Sequence, residues 1–143
     1  MAASSSATTV WNGGLADGSG VTTPASGAFA ATDVSWASRT KRAAGKTSPE
    51  ELLAAAHAAC YCMGLSHELG EAGTPPQRLE ATATVDFVPG EGVKSSHIVV
   101  VGQVAGIDQD TFAAAAAAAG EGCPISGALK GNVEITVEAT LDA

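Results

Sequence analysis

Positive charge is scarce in this chain of 143 residues: seven Lys and Arg stand against 15 Asp and Glu, for a net charge of -8. Binding to a phosphate backbone rests on clustered cations, so no nucleic-acid partner is expected. Long apolar runs are missing too. The apolar stretch without a fixed charge from Leu52 to Leu65 is 14 residues long and falls short of the roughly 20 apolar residues that span a bilayer, so no membrane partner is expected. The opening residues, MAASSSATTV, have neither a basic n-region nor an apolar h-region, and without a secretory signal a cytoplasmic protein is expected. With three cysteines only, a structural disulfide framework is not expected in that compartment, which leaves thiol chemistry or core packing.

What is present is enough to fold. With 45% apolar residues the chain is no acidic disordered segment, and its length suits one domain, residues 1–143, with an Ala/Ser-rich and frayed start at residues 1–6. Four of the seven cations, Arg39, Lys41, Arg42 and Lys46, fall within eight positions. They stand just ahead of the stretch around which the chain is organised, Thr47 to Gly70. Its start carries helix signals: Ser48 as N-cap, Pro49 at the first helical position and Glu51 to complete a capping box. The absence of fixed charge from Leu52 to Leu65 predicts a helix that needs cover on most of its surface.

Short strands at Thr8–Trp11, Gly20–Thr23 and Thr32–Trp36, separated by Gly, Asn, Asp and Pro, predict an antiparallel meander before that helix. After it, Gly70 is the expected C-cap and Arg78 to Val88 alternates, with Leu79, Ala81, Ala83, Val85 and Phe87 on one face. A turn at Pro89 to Gly92 leads into a second strand, Ser96–Val104. Asp108 or Asp110 then caps a helix through Phe112 and seven alanines until Gly120. A short helical piece follows from Cys123-Pro124 to Leu129, and an alternating strand, Asn132–Leu141, ends the chain. Strands, helix, strands, helix and strand predict an α+β domain with a mainly antiparallel sheet packed around the cysteine-bearing helix.

A free thiol near pKa 8.5 is only about 3% ionised at pH 7, so a reactive cysteine needs help. Cys60, in an apolar helix, is inert unless a cation reaches it, and Arg39 and Arg42 are the nearest in sequence. A guanidinium stays charged when desolvated and holds a thiolate and a carboxylate together. Cys123 precedes Pro124 at the cap of a short helix, where N–H groups favour negative charge. Two such cysteines suggest a peroxidatic and resolving pair, in which a thiolate attacks a peroxide and its sulfenic acid condenses with the second thiol. Packing cysteines and a Cys-Pro turn remain the plain alternatives. Cys62 points about 200° away from Cys60 and reads as core. His57 reads as a hydrogen-bonded core histidine, with a base or a zinc ligand as alternatives. Glu50 and Glu51 suit a helix start. At about 1.5 Å per residue either lies roughly 14 to 15 Å from Cys60, so cooperation needs two antiparallel copies about a twofold axis.

The stretch SPEELLAAAHAACYCMGL, followed by GCPIS, resembles the OsmC/Ohr family of organic hydroperoxide reductases, and VWNGG and GEAG extend the likeness over about Thr8 to Leu141. AAHAAC and EAGTPP are nearer the OsmC branch. The resemblance implies an intertwined α+β homodimer with the cysteine helices at its centre. It implies Cys60 as peroxidatic and Cys123 as resolving cysteine, with Arg39 (or Arg42) and Glu50 as their partners. It further implies an organic hydroperoxide substrate, a dithiol reductant of lipoyl type and no metal, haem or flavin. Leu52, Leu53, Met63 and Phe112 are then candidate apolar walls. The competing readings are a non-catalytic oxidant sensor or small-ligand binder on the same fold and, third, a metal-binding protein.

Overall fold

The computed structural model describes residues 1–42 and 44–142 as two three-stranded sheets and four helices. They fall into two compact units, Met1–Leu52 and Leu53–Ala143. In the first, strands β1 (Ala7–Asn12), β2 (Ser19–Pro24) and β3 (Thr32–Val34) pair antiparallel in that order. The Thr9 and Thr22 hydroxyls hydrogen-bond across the first pair at 2.8 Å.

The third strand is shorter than the predicted Thr32–Trp36, because a helix takes over. Ser35 and Ser38 form a reciprocal capping box, with Ser38 N–H on Ser35 Oγ at 3.0 Å and Ser35 N–H on Ser38 Oγ at 2.9 Å. This starts helix α1 (Trp36–Lys41), which ends at Arg42 in the left-handed conformation, φ 58°. The chain then returns to β3, where Thr47 N–H donates to the Asp33 carbonyl at 2.9 Å.

Helix α2 (Pro49–Glu71) begins as predicted, with the Glu51 N–H on Ser48 Oγ at 3.1 Å. The other half of the expected box is replaced: the Glu51 carboxylate accepts from the Thr47 hydroxyl at 2.7 Å. The helix outlasts Gly70. Its left-handed terminal residue is Gly73, φ 80°, after which Thr74 N–H returns to the Leu69 carbonyl at 2.9 Å.

In the second unit, α2 buries one stripe at four-residue spacing: His57, Tyr61, Leu65 and Leu69, all at most 1% exposed. Tyr61, Leu65 and Leu69 join Ile98, Val100, Val104, Phe112, Ala116 and Ala119 in one core. Ala55, Ala59 and Met63, on the other side of the helix, are open in the single chain.

Strand β4 (Arg78–Val88) buries the predicted face and pairs antiparallel with β5 (Gly92–Gln103), which starts four residues earlier than expected. Helix α3 (Gln109–Gly122) is capped by Asp108, whose carboxylate accepts the Thr111 N–H at 2.8 Å. The seven alanines let it lie close on β6 (Glu134–Leu141): a Cβ at Gly120 would stand 2.9 Å from Val137 Cγ2. Gly120 is thus a point of close approach, and the helix continues past it. With α4 (Pro124–Leu129), α3 forms the connection that returns the chain alongside β5, so β6 pairs parallel, Ile98 opposite Val137. The other three ladders are antiparallel.

Phe112 is the largest core side chain on α3, 0% exposed, and it lies against Gly102 of β5, where any side chain would strike its ring. Phe112→Ala is expected to cost about 3 to 5 kcal/mol in urea unfolding. A loss below about 1 kcal/mol would mean that α3 does not depend on this contact.

Candidate functional site

Cys123 is held by two helices at once. It is the C-cap of α3, with its N–H on the Ala119 carbonyl at 3.0 Å, and the N-cap of α4, with its carbonyl accepting Gly127 N–H at 2.9 Å. Pro124 occupies the first turn of α4 as the sequence suggests. Cys60 approaches from α2, and the two sulfurs lie 3.0 Å apart, both as free thiols. A disulfide bond is about 2.05 Å, so joining them needs roughly 1 Å of further approach. Access is unequal: Cys123 is 1% exposed, whereas Cys60 is half-buried.

Their acidities are unequal as well. Burial raises the Cys60 pKa, the Cys123 thiol beside it adds to the rise, and the Ile125 N–H only partly opposes it. Burial pushes Cys123 up too. There, however, hydrogen bonds from Cys60, from the Ser126 N–H and hydroxyl and from the Ile125 N–H outweigh it, and the net shift is downward. Cys60 therefore needs a cation before it acts as a nucleophile.

Beneath the pair lies the histidine that the sequence offered as a core residue, a base or a zinc ligand. His57 is fully buried, with Nδ1 at 2.7 Å from Ser96 Oγ of β5 and Nε2 at 2.8 Å from Ser126 Oγ of α4. It is the hydrogen-bonded core histidine expected, and both ring nitrogens are taken by serines. Ser96 and Ser126 were not singled out in sequence. The position of Ser126, one turn after Cys123 in GCPIS, was the available signal.

In the first unit, α1 delivers Arg39 to Glu50. Arg39 Nε and Nη2 meet Glu50 Oε1 at 2.9 and 2.8 Å, with the guanidinium 5.9 Å from the Trp36 ring centroid. Glu50 is 6% exposed, and its Oε2 is the buried side-chain oxygen that has no hydrogen-bond partner among the described residues. Arg39 also lines a mainly apolar cleft of about 330 Å³ together with Trp11, Leu15, Trp36 and Leu52. Arg42 goes elsewhere, to a polar recess with Lys46 and Glu51. Of the two candidate arginines, Arg39 is thus the one paired with Glu50.

The remaining candidates separate. Cys62 is half-buried and not core: it lines a surface cleft with Met63, His67 and Arg78, and burial raises its thiol pKa. Leu52 lines the apolar cleft, whereas Phe112 is sealed in the core and Met63 is 72% exposed. Among the described residues no helix is long and apolar enough to cross a membrane.

The family model described as OsmC-like protein matches residues 42–138. Peroxiredoxin OsmC of Escherichia coli is 38% identical over 131 residues, 90% of either chain. Among solved structures, the organic hydroperoxide resistance protein OhrB of Bacillus subtilis is similar with a TM-score of 0.66 at 27% identity, covering 94% of this chain and 98% of its own. An organic hydroperoxide resistance protein from Elizabethkingia anophelis shares the fold with a TM-score of 0.74 at 21% identity, over 99% of both chains.

The buried histidine gives a pH signature. Burial lowers the His57 pKa below 6.5, so the unfolded chain takes up this proton at a higher pH than the folded one. The stability contributed by neutral His57 is complete above about pH 6.5 and is lost as the pH falls toward the folded pKa. Urea midpoints between pH 7.5 and about 5 should fall in the wild type and fall less in His57→Gln. Equal slopes would remove His57 from the titration.

Proposed function

The chain belongs to the OsmC-like family, and from that footing we propose that it is a cysteine-based peroxidase that reduces organic hydroperoxides to alcohols. The observation that carries the proposal is the 3.0 Å separation of Cys60 and Cys123, with only Cys60 open to a substrate. The Cys60 thiolate attacks the outer peroxide oxygen, the O–O bond breaks, and the alcohol leaves with a proton. The sulfur is left as a sulfenic acid. Cys123 then attacks that sulfur, expels hydroxide that leaves as water, and forms the disulfide that a dithiol reduces.

The raised pKa of Cys60 makes a cation necessary, and Arg39 is proposed to supply it, steadied by Glu50. The uncommitted Glu50 Oε2 suits the hydroperoxide O–H, and the cleft lined by Trp11, Leu15, Trp36 and Leu52 suits its alkyl part. The helical spacing that keeps Glu50 from Cys60 within one copy makes a homodimer, each copy completing the other's site, the matching assembly. Open apolar side chains fit such an assembly: Met63 on α2 and Val10, Leu15 and Phe29 in the first unit are 48 to 72% exposed. The reductant is proposed to be a dithiol, of lipoyl type by family resemblance.

With cumene hydroperoxide and a dithiol, Cys60→Ser should show no turnover. Without the dithiol, Cys123→Ser should reduce about one equivalent and leave a sulfenic acid that dimedone labels on Cys60. Full turnover by Cys60→Ser would refute Cys60 as the peroxidatic cysteine, whereas no turnover by the wild type would refute the peroxidase and favour a sensor or ligand-binding role on this fold. A second test concerns the arginine. Arg39→Ala leaves the carboxylate of Glu50 buried without its cation, so a stability loss of about 2 kcal/mol and at least roughly tenfold slower turnover are expected. Arg39→Lys keeps the charge without the planar fork and should recover part of both. Wild-type turnover by Arg39→Ala would transfer the role to another cation.

A further inference from the structure

We propose that His57, fixed between Ser96 and Ser126, is a positioning residue that turns the Ser126 hydroxyl toward Cys123 and makes Cys123 the leaving thiolate when a dithiol attacks Cys60. The inference rests on the disulfide cycle proposed above and adds the direction of its reductive half. Three observations carry it: the unequal exposure of the two sulfurs, the full burial of the His57 ring, and the hydrogen bonds at 2.7 and 2.8 Å that commit both of its nitrogens to serines.

Exposure fixes which sulfur is attacked. Thiol–disulfide exchange needs the nucleophile in line with the S–S bond, and only the Cys60 side is open. A reductant thiolate bonds to Cys60 Sγ, the Cys60–Cys123 bond breaks, and its electron pair leaves on Cys123 Sγ. The second thiol of the reductant then attacks the reductant sulfur of this mixed disulfide and releases Cys60. The dithiol ends as a cyclic disulfide, having lost two electrons and two protons. The two cysteines gain the electrons. One proton goes to Cys60 and the other to solvent. Exchange is faster when the leaving thiol is the more acidic, and the Ser126 hydroxyl and N–H act on the buried Cys123 in that direction.

The tautomer of His57 decides whether the serine helps. Buried and neutral, the ring has one N–H and one lone pair. With the proton on Nε2, the ring donates to Ser126 Oγ and accepts the Ser96 hydroxyl at Nδ1. The Ser126 hydroxyl proton is then left for Cys123. With the proton on Nδ1, Nε2 accepts that same hydroxyl proton and the sulfur loses it. The arrangement that serves a Cys123 thiolate is therefore the Nε2–H tautomer, held from the far side by Ser96. A Ser126 whose only task was to fill space would not depend on the tautomer.

The test uses full-length protein oxidised with diamide, so it reads the disulfide whether or not the chain consumes peroxides. Reduction by dihydrolipoamide is followed by thiol release. Ser126→Ala should slow it roughly tenfold, and Ser126→Thr, which keeps the hydroxyl, should restore it. In denaturant the variants and the wild type should reduce at equal rates. Two measurements need no variant. Acid quenching after a limiting monothiol such as cysteamine, then alkylation and peptide mass spectrometry, should find the mixed disulfide on Cys60 and the alkylated thiol on Cys123. Nitrogen-15 shifts of the reduced protein should report His57 as the Nε2–H tautomer. A wild-type reduction rate in Ser126→Ala, a mixed disulfide on Cys123, or an Nδ1–H histidine would each overturn the proposal. Absence of peroxide turnover with these results intact would overturn only the peroxidase reading.

Discussion

The buried stripe of α2 is the constraint on which the second unit depends. His57, Tyr61, Leu65 and Leu69 recur every four residues, so one face of the helix is pressed into the core and the rotation of the helix is set. Tyr61 locks the contact further by donating its hydroxyl to the Ala116 carbonyl of α3 at 2.9 Å, and burial holds its pKa well above the usual phenol range. With the rotation set, the flanking positions have no freedom. Cys60 falls at the edge of the stripe, close enough to reach Cys123 yet open on one side. Cys62, two positions on, is turned onto the surface by β4, away from the pair.

The same stripe explains why the pair is asymmetric. Cys123 arrives from the α3–α4 junction, where two helices hold its backbone and where Ser126 and the N–H groups around it point at sulfur. Cys60 comes from the middle of a helix, where the neighbouring N–H groups bond to carbonyls one turn back, so burial and the Cys123 thiol raise its pKa with the Ile125 N–H alone opposing them. One sulfur has access without acidity, the other acidity without access. A cation brought to Cys60 supplies what that sulfur lacks, which is why the Arg39–Glu50 pair belongs in the proposed mechanism although its own geometry lies within the first unit.

Much of this was legible in the sequence because the signals are local. Ser48-Pro49 marks the start of α2, the alternation of Leu79 to Phe87 marks the inner face of β4, and Asp108 marks the start of α3. The α+β class and the approach of Cys60 to Cys123 follow those signals and the family likeness. Three features escaped. Helix α1 is six residues long, too short for a period to emerge, and only the serine pair at positions 35 and 38 announces it. The parallel pairing of β6 is decided by how far α3 and α4 carry the chain before it returns, which no strand pattern encodes. Ser96 and Ser126, 30 residues apart, acquire meaning only because one histidine nitrogen meets each.

The choice between Arg39 and Arg42 shows why sequence distance is a poor guide to a charged site. The two cations are three residues apart, and both precede α2 by similar spans. The backbone separates them. Arg39 is inside the last turn of α1, where the helix aims its side chain at Glu50, whereas Arg42 sits past the helix end in a left-handed conformation and faces a different recess. A buried carboxylate costs several kcal/mol unless a cation compensates it, so Glu50 at 6% exposure demands the nearer guanidinium. Arg39 Nε and Nη2 both meet one carboxylate oxygen, and the other is buried with no hydrogen-bond partner among the described residues. An acceptor kept dry and unfilled beside a cation stabilises a fold less well than one fully engaged, and it suits a substrate that brings its own O–H.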